Sequence, residues 1–367
     1  MQLCLNMIVR DEAEVIVDTL DHIIAHFPIA SWVIHDTGSN DDTPNLIRKY
    51  FENLKLPGKL IQCEWKSFGE NRQWALETAR GHGNYVLFFD ADNRIEGDVP
   101  KITPTAHSFT LNMRRSGVVY PVKAVVRNDG SYVWRGVIHE ALYYRGKEPE
   151  VTRHLDGDYV IVSQSIGARS KDAGTYYRDA TILSRAIETI SDEDRDLLPR
   201  YTFYCANSWR DAQCPREAAH WYRRRIALAG WVDEVYCSWL GLGIELEKSG
   251  EDPAALDAYM SGHNVSPDRA ECLYHAARLL RRRGNHCMAL IFAAAGRTIK
   301  VPSTERLFVW RDIYQYWMDF EYLMCLVHLG RLKEGNEAIE RMRLNNAPSH
   351  LFDMIDNATQ KFHRGGT

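Results

Sequence analysis

Tyr85-Val86-Leu87-Phe88-Phe89-Asp90-Ala91-Asp92 is an apolar run that ends in two carboxylates one residue apart. The run reads as a β-strand. Strand side chains alternate faces, so Asp90 and Asp92 are expected on the same side. Two carboxylates at the end of a strand offer hard oxygen ligands suited to Mg²⁺ or Mn²⁺. Such a metal suits a diphosphate, which favours an enzyme with a phosphorylated donor over a plain binding module. Asp is also a common turn former, and an acidic strand-to-turn cap is the plain alternative for this motif taken alone.

Upstream of this stretch, strands and helices alternate. Leu3–Val9, Ser31–His35 and Lys59–Glu64 read as strands; Asp11–Phe27, Asp41–Leu54 and Asn71–Arg80 read as helices. On the first helix Val15, Ile16, Leu20, Ile23 and Ile24 share a face. The second opens on Asp and Thr caps with a Pro in its first turn. The βαβαβαβ order implies a mainly parallel sheet covered on both faces, with its ligand site beyond the carboxyl ends of the strands. The polar stretches Asn6–Glu12, Asp36–Thr43 and Asp90–Asp92 all fall at such ends.

Downstream the pattern changes twice. Ser108 to Tyr144 holds short alternating segments that read as antiparallel strands, with a turn at Asn128-Asp129-Gly130-Ser131. From about Thr175 the chain reads as helical to its end. Paired helices recur there: Arg200–Ala212 with Pro215–Ala229, Asp233–Glu247 with Pro253–His263, Arg269–Arg283 with His286–Thr298, and Tyr314–Leu329 with Leu332–Leu344. Ala218, Ala254 and Ala289 stand 36 and 35 residues apart, close to the tetratricopeptide period, and a longer insertion precedes the last pair. Gly250, Gly284 and Gly330 separate the helices within pairs. A short solenoid is expected, with an irregular bundle as the alternative.

The bulk numbers set limits. A chain of 367 residues supports two domains with real cores. Apolar content of 45% and charged content of 26% are those of an ordinary globular protein. A formal net charge of −4 argues against a dedicated nucleic-acid surface. No apolar run is long enough for a transmembrane helix. The N-terminus lacks the basic region and cleavage site of a signal peptide, and is read as the first strand. The cysteines form no Cys-x-x-Cys pair and sit mostly in apolar helical context, so free thiols and a cytoplasmic location are expected.

Leu5-Asn6-Met7-Ile8-Val9-Arg10-Asp11-Glu12, Asp36-Thr37-Gly38-Ser39-Asn40-Asp41-Asp42-Thr43, Arg72 with Leu76 and Ala79, and Phe88-Phe89-Asp90-Ala91-Asp92 together resemble the family 2 glycosyltransferases of the GT-A fold. The resemblance covers about the first half, and members with helical tetratricopeptide-like tails exist. It implies a fold: an α/β, GT-A-like mixed-sheet domain of the nucleotide-diphospho-sugar transferase type over residues 1–172, then an all-α helical-repeat domain over residues 173–367. It also implies roles. Asp36 would bind the nucleotide base, usually uracil, whose N3–H suits an acceptor-only carboxylate. Glu12 would lie near the ribose, although a first-turn acid at a helix dipole is the plain alternative. Arg72 would meet the base or the diphosphate with its planar fork. Gln73 stands where the family usually has Asn. Asp92 would ligate the metal, with Asp90 reaching metal or ribose, and Asn93 replaces a further acid common in relatives.

The family often carries an element similar to Trp134-Arg135-Gly136-Val137-Ile138-His139-Glu140. Glu140 is the candidate base that takes the acceptor's proton. His139 is a candidate third metal ligand or diphosphate contact, and Trp134 a candidate stacking platform. The plain alternatives are a Glu140 paired with Arg135 or Arg145, a satisfied core His139 and a half-buried strand Trp134. Arg169 and Lys171 are candidates to close over the leaving diphosphate. Arg223-Arg224-Arg225 and Arg281-Arg282-Arg283 are read as solvated faces.

The expected activity is therefore metal-dependent, inverting transfer of a sugar from a nucleotide sugar, a UDP sugar first, to an acceptor hydroxyl or thiol. The acceptor could be a lipid-linked glycan, a protein or a small molecule; a modified base in viral DNA is a further alternative that the negative net charge disfavours. The helical tail is expected to bind the acceptor or a second subunit as a homo-oligomer. A nucleotidyltransferase and a non-catalytic scaffold with a degenerate donor domain stay open. The first is disfavoured because Asn6–Glu12 has no Gly and a single Arg, the second because Asp90, Asp92 and Glu140 are intact.

Overall fold

In the computed structural model the first strand, β1 (Leu3–Val9), is buried along almost its whole length, as its apolar sequence requires. The structure describes every residue except 116–117, 165–171, 173, 303–305 and 366–367. The chain divides into two compact units, Met1–Ala186 and Ile187–Thr367.

In the first unit β1 is followed by α1 (Ile16–His26), β2 (Ile29–Asp36), α2 (Thr43–Leu54), β3 (Gly58–Gln62), α3 (Phe68–Thr78) and β4 (Tyr85–Phe88). Then come β5 (Asn93–Gly97), β6 (Ser108–Arg115), β7 (Val118–Arg127), β8 (Tyr132–Arg135), β9 (Ala141–Tyr144), β10 (Thr152–His154) and β11 (Tyr159–Ser163). Among the described residues the main sheet has nine strands in the order β3-β2-β1-β4-β7-β6-β11-β5, with β10 paired to β6. The β3-β2-β1-β4 half is parallel, and β7 joins β4 antiparallel. The sheet is therefore mixed. β8 and β9 form a separate antiparallel hairpin.

Strand alternation builds two cores from one sheet. Leu3, Leu5, Met7 and Val9 of β1 pack with Ile16, Leu20 and Ile23 of α1 and with Ile47 and Phe51 of α2. Cys4 faces the other way, into a core with Val33, Val86, Phe88, Tyr132, Leu76 of α3 and Ala79 just past its end. On that same face buried Asn6 donates from Nδ2 to the Val33 carbonyl at 3.2 Å and to the Ala75 carbonyl of α3 at 2.9 Å. The side of the sheet that α3 covers is thereby fixed.

Helix α4 (Thr175–Glu188) leads into the helices of the second unit. These are α5 (Leu198–Asp211), α6 (Pro215–Ala227), α7 (Val232–Lys248), α8 (Asp252–Val265), α9 (Glu271–Arg282), α10 (His286–Arg297), α11 (Met318–His328), α12 (Asn336–Leu344) and α13 (Ser349–Gly365). From α5 to α12 consecutive helices pack as neighbours, and the first helix of each pair also meets the first helix of the next. That is the stacking of a helical-repeat solenoid. Gly250, Gly284 and Gly330 sit at φ of +78°, +79° and +70°, the left-handed position after a helix end that Gly adopts at least cost.

Two sequence expectations change here. The repeat position is Ala218, Ala255 and Ala289, all fully buried in the fourth position of α6, α8 and α10; Ala254 is only partly buried. The basic runs are also not plain solvated faces. Arg225 is fully buried, its Nε donating to Glu234 at 2.9 Å, and Arg281 donates to Glu321. Each interior guanidinium sits opposite a carboxylate, which is what makes its burial tolerable.

The insertion before the last pair forms a strap. Leu307 N donates to Asp233 at 3.0 Å, Arg269 donates to the carbonyls of Leu307 and Phe308 at 2.7 and 3.1 Å, and Trp310 N donates to Glu271 at 3.2 Å. The insertion is thus bound through its backbone by charged side chains of α7 and α9 and of the turn between α8 and α9. No helix among the described residues is long and apolar enough to cross a membrane. All eight cysteines are free.

Candidate functional site

The parallel strands end together. Val9 of β1 pairs with Asp36 of β2, and Asp36 with Gln62 of β3, while β4 ends at Phe88, opposite Asn6. The loops after β1 and β2 are tied to each other by four bonds. Asp11 N donates to Ser39 Oγ at 2.9 Å, Asn40 N to Asp11 Oδ1 at 2.6 Å, Glu12 N to Thr43 Oγ1 at 2.8 Å and Ala13 N to Asp41 Oδ2 at 3.0 Å. Burial pushes the Asp41 carboxyl up, but hydrogen bonds from Thr43 and from backbone amides outweigh it and hold the pKa below its ordinary value.

Asp36 is fully buried at the end of β2. Its Oδ1 accepts from the Ser39 amide at 3.1 Å and from the Ser39 hydroxyl, and its Oδ2 accepts a long bond from Gln62 Nε2 at 3.4 Å. Beside it lies an open cleft of about 590 Å³ lined by Arg10, Thr37, Gly38, Gln62, Cys63, Glu64 and Trp65. Trp65 is 39% exposed and stands edge-on to Phe68, with ring centroids 4.7 Å apart. The cleft thus offers an aromatic surface and an amide beside the Asp36 carboxylate. Glu12 is partly buried where the first of these loops enters α1.

Helix α3 carries the central cation. Its N-terminus is capped by Ser67, whose Oγ accepts from Glu70 N at 3.2 Å and donates to Glu70 Oε2 at 3.0 Å. Buried Asn71 accepts from the amides of Lys66 and Ser67 at 2.9 and 3.2 Å and donates to the Glu64 carbonyl at 3.0 Å. The first turn of α3 is bonded to the loop after β8, with Phe68 N donating to Val137 O at 3.1 Å and Gly69 N to Gly136 O at 3.0 Å. A Cβ at Gly69 would lie 2.2 Å from the Gly136 carbonyl, so this approach needs glycine. Gln73 completes the tie, accepting from Trp134 N at 2.8 Å while donating to Glu77. That is the structural role of the residue which departs from the family pattern.

The tie places Arg72 between two carboxylates. Arg72 Nη2 donates to Asp90 Oδ1 at 2.6 Å and Arg72 Nε donates to Glu140 Oε1 at 2.6 Å. The guanidinium carbon lies 5.3 Å from the centre of the Trp134 ring, which in turn meets Phe88 edge-on at 5.1 Å. Burial disfavours the Arg72 charge, but Asp90 and Glu140 more than offset this and raise its pKa above the ordinary value. Glu140 therefore pairs with Arg72, a partner outside the sequence alternatives Arg135 and Arg145.

The acidic pair itself differs from its reading as a strand end. β4 stops at Phe88, and Asp90–Asp92 form a turn closed by Asn93 N donating to Asp90 O at 3.2 Å. Thr19 of α1 holds the Ala91 carbonyl at 2.6 Å, and buried Asn93 opens β5. Turn geometry, not strand alternation, therefore sets the two carboxylates. Asp90 is the more exposed; Asp92 is partly buried. His139 lies in the loop before Glu140 at φ +52°. Among the described residues no group of three or more His, Cys, Asp or Glu side chains is placed to hold a metal, so Asp90, Asp92 and His139 do not form a closed cage. Arg169 and Lys171 lie outside the described residues.

Asn71, Gln62 and Trp65 were missed by sequence reading. The Ser67-x-x-Glu70 pattern was the available signal, since it starts α3 at Phe68 instead of Asn71 and puts Asn71 and Arg72 in its first turns.

Residues 4–150 match the family model described as Glycosyl transferase family 2. No curated protein matches the chain. Among solved structures, one of MamA is 12% identical over 49% of this chain and 95% of its own, with a TM-score of 0.38. BtubC from P. vanneervenii is 12% identical over 47% of this chain and 74% of its own, with a TM-score of 0.40. A Podosopora anserina protein with nearly identical TPR-like repeats is 14% identical over 47% and 88%, with a TM-score of 0.36. These likenesses are too distant to bear on function. The N-terminal part of the chain, over residues 4–150, is a glycosyl transferase family 2 domain.

Proposed function

We propose that the protein transfers a sugar from a nucleotide sugar, a UDP sugar first, to an acceptor hydroxyl or thiol, with inversion and with Mn²⁺ or Mg²⁺. The observation that carries this reading is Arg72, which gathers the acidic turn after β4 and Glu140 after β8 into one polar centre. Two carboxylates without a closed cage fit Mg²⁺ or Mn²⁺, which take one or two protein carboxylates and fill the remaining positions with water and phosphate oxygens. Asp92, with Asp90, would hold the ion. When bound, it would neutralise charge on the diphosphate leaving group.

The remaining roles belong to the chain's own groups. Asp36, buried and preset by Ser39, would accept from the N3–H of a uracil when Gln62 gives up its long bond to Oδ2, and Trp65 offers a face for the base in the adjoining cleft. Glu12 is assigned the ribose. Glu140 takes the proton of the acceptor as its oxygen or sulfur attacks the anomeric carbon; direct displacement inverts that carbon. Trp134, held by Gln73 and Phe88, is a platform for sugar or acceptor. Arg169 and Lys171 are proposed to close on the diphosphate, His139 to touch it, and the helical repeats to present the acceptor or a second copy of the chain.

Thermal unfolding of the full chain with UDP, GDP or CDP, each with Mn²⁺ or with EDTA, tests the reading. UDP with Mn²⁺ should raise the midpoint by several degrees, and EDTA should abolish the rise. No shift with any nucleotide would leave a scaffold with a degenerate donor domain as the better account.

A further inference from the structure

Arg72 makes two ion pairs of equal length in unequal surroundings. Its own side chain is 13% exposed; the Asp90 side chain is 51% exposed and that of Glu140 only 13%. Water competes strongly for the Asp90 end of the bridge and weakly for the Glu140 end. The backbone of Arg72 is held in α3 by the Ser67 cap and by the two amide bonds to Gly136 and Val137, so only its guanidinium can change partners. The cation sits against the carboxylate of the acidic turn, where a positive charge opposes the arrival of another.

We infer that Arg72 is an internal counter-ion for Asp90 that competes with the divalent cation. Loading of the ion exchanges the exposed Arg72–Asp90 pair for a metal contact, and the guanidinium remains on Glu140. The inference rests on the metal reading of the previous section and goes beyond it: Arg72 becomes a positioning residue that tunes metal affinity and holds the base. Before loading, its charge lies between Asp90 and Glu140 and offsets their mutual repulsion. After loading, the same charge is retained next to the base.

The test is Mn²⁺ binding to the full-length protein without nucleotide, read from free Mn²⁺ by electron paramagnetic resonance. Arg72→Met removes the competitor and should bind Mn²⁺ about twofold to fivefold more tightly than the wild type, the worth of one exposed ion pair. Arg72→Lys keeps the charge but cannot span both carboxylates, so its affinity should fall between the two, and it serves if the Met variant does not fold. In an Asp90→Asn background the gain from Arg72→Met should vanish. Equal or weaker binding by both Arg72 variants, with Mn²⁺ bound by the wild type, would overturn the competition and leave the metal reading standing. Failure of the wild type and every Arg72 variant to bind Mn²⁺ would overturn the metal reading and this inference together.

Discussion

At Arg72 one planar guanidinium satisfies two carboxylates that come from different loops, a task a point charge such as Lys performs poorly. The same arrangement holds Glu140, the base of the proposed reaction, in place by a charge. Glu140→Gln should keep nucleotide binding and lose transfer by roughly 10²- to 10⁴-fold, checked by comparing UDP-induced thermal shifts with rates of nucleotide release. A variant that transfers at the wild-type rate would move the base elsewhere. Asp92→Ala should lose the Mn²⁺-dependent part of the same thermal shift. His35, the neighbour of Asp36, carries a pH signature. Burial, followed by the charge of Lys59, lowers its pKa from 6.5 to about 4. Between those values the unfolded chain takes up a proton that the folded chain refuses, so stability falls as pH falls through that window. The loss is on the order of 3 kcal/mol at most. Urea midpoints at pH 7 and pH 4.5 should therefore converge in His35→Phe relative to the wild type; equal pH slopes would remove His35 from the account.

Among the elements, α3 decides the site. Its first turn is bonded to the loop between β8 and β9, and the contact has no room for a side chain at Gly69. Gly69→Ala should cost about 1–3 kcal/mol by overpacking, and it should weaken donor turnover more than nucleotide binding because Arg72 and Glu140 are drawn apart. Chemical denaturation and turnover measured on the same preparation check both halves. Most elements of this unit were legible because their cues are local: apolar runs, caps, turn residues. Two details were not. Asp90 and Asp92 follow an apolar run that extends to Phe89, so alternation seemed to continue; the bond from Asn93 N to Asp90 O and the capture of the Ala91 carbonyl by Thr19 end it early. The Ser67 cap starts α3 at Phe68, one turn ahead of the expected start at Asn71.

On the scale of the whole chain, each unit is held by its own interior. In the helical unit the strap at residues 306–310 is fastened by Arg269 and Glu271, both fully buried and paired to each other at 2.8 Å. Removing one partner strands the other's charge. Arg269→Met should therefore destabilise this unit by about 3–5 kcal/mol, whereas a surface change such as Arg343→Met should cost less than about 1 kcal/mol. Unfolding followed by circular dichroism, where helix loss dominates, distinguishes the two. The repeat is visible in sequence from its period, but an even spacing points to Ala254 where the structure buries Ala255, because the pairs are 37 and 34 residues apart at their second helices, counted from Pro215, Asp252 and His286.

By itself the sequence determined the succession of strands and helices, the change to all-helical chain near residue 175, and the residue types at the strand ends. Those depend on neighbours a few positions away. Only the tertiary structure decided that Arg72 spans Asp90 and Glu140, that Gln73 braces Trp134, and that Arg225 and Arg281 lie inside ion pairs. These partners stand 9 to 68 residues apart in the chain. Which charges meet at that separation follows from the register of the sheet, the close approach at Gly69 and the stacking of the helices, and no local pattern encodes them.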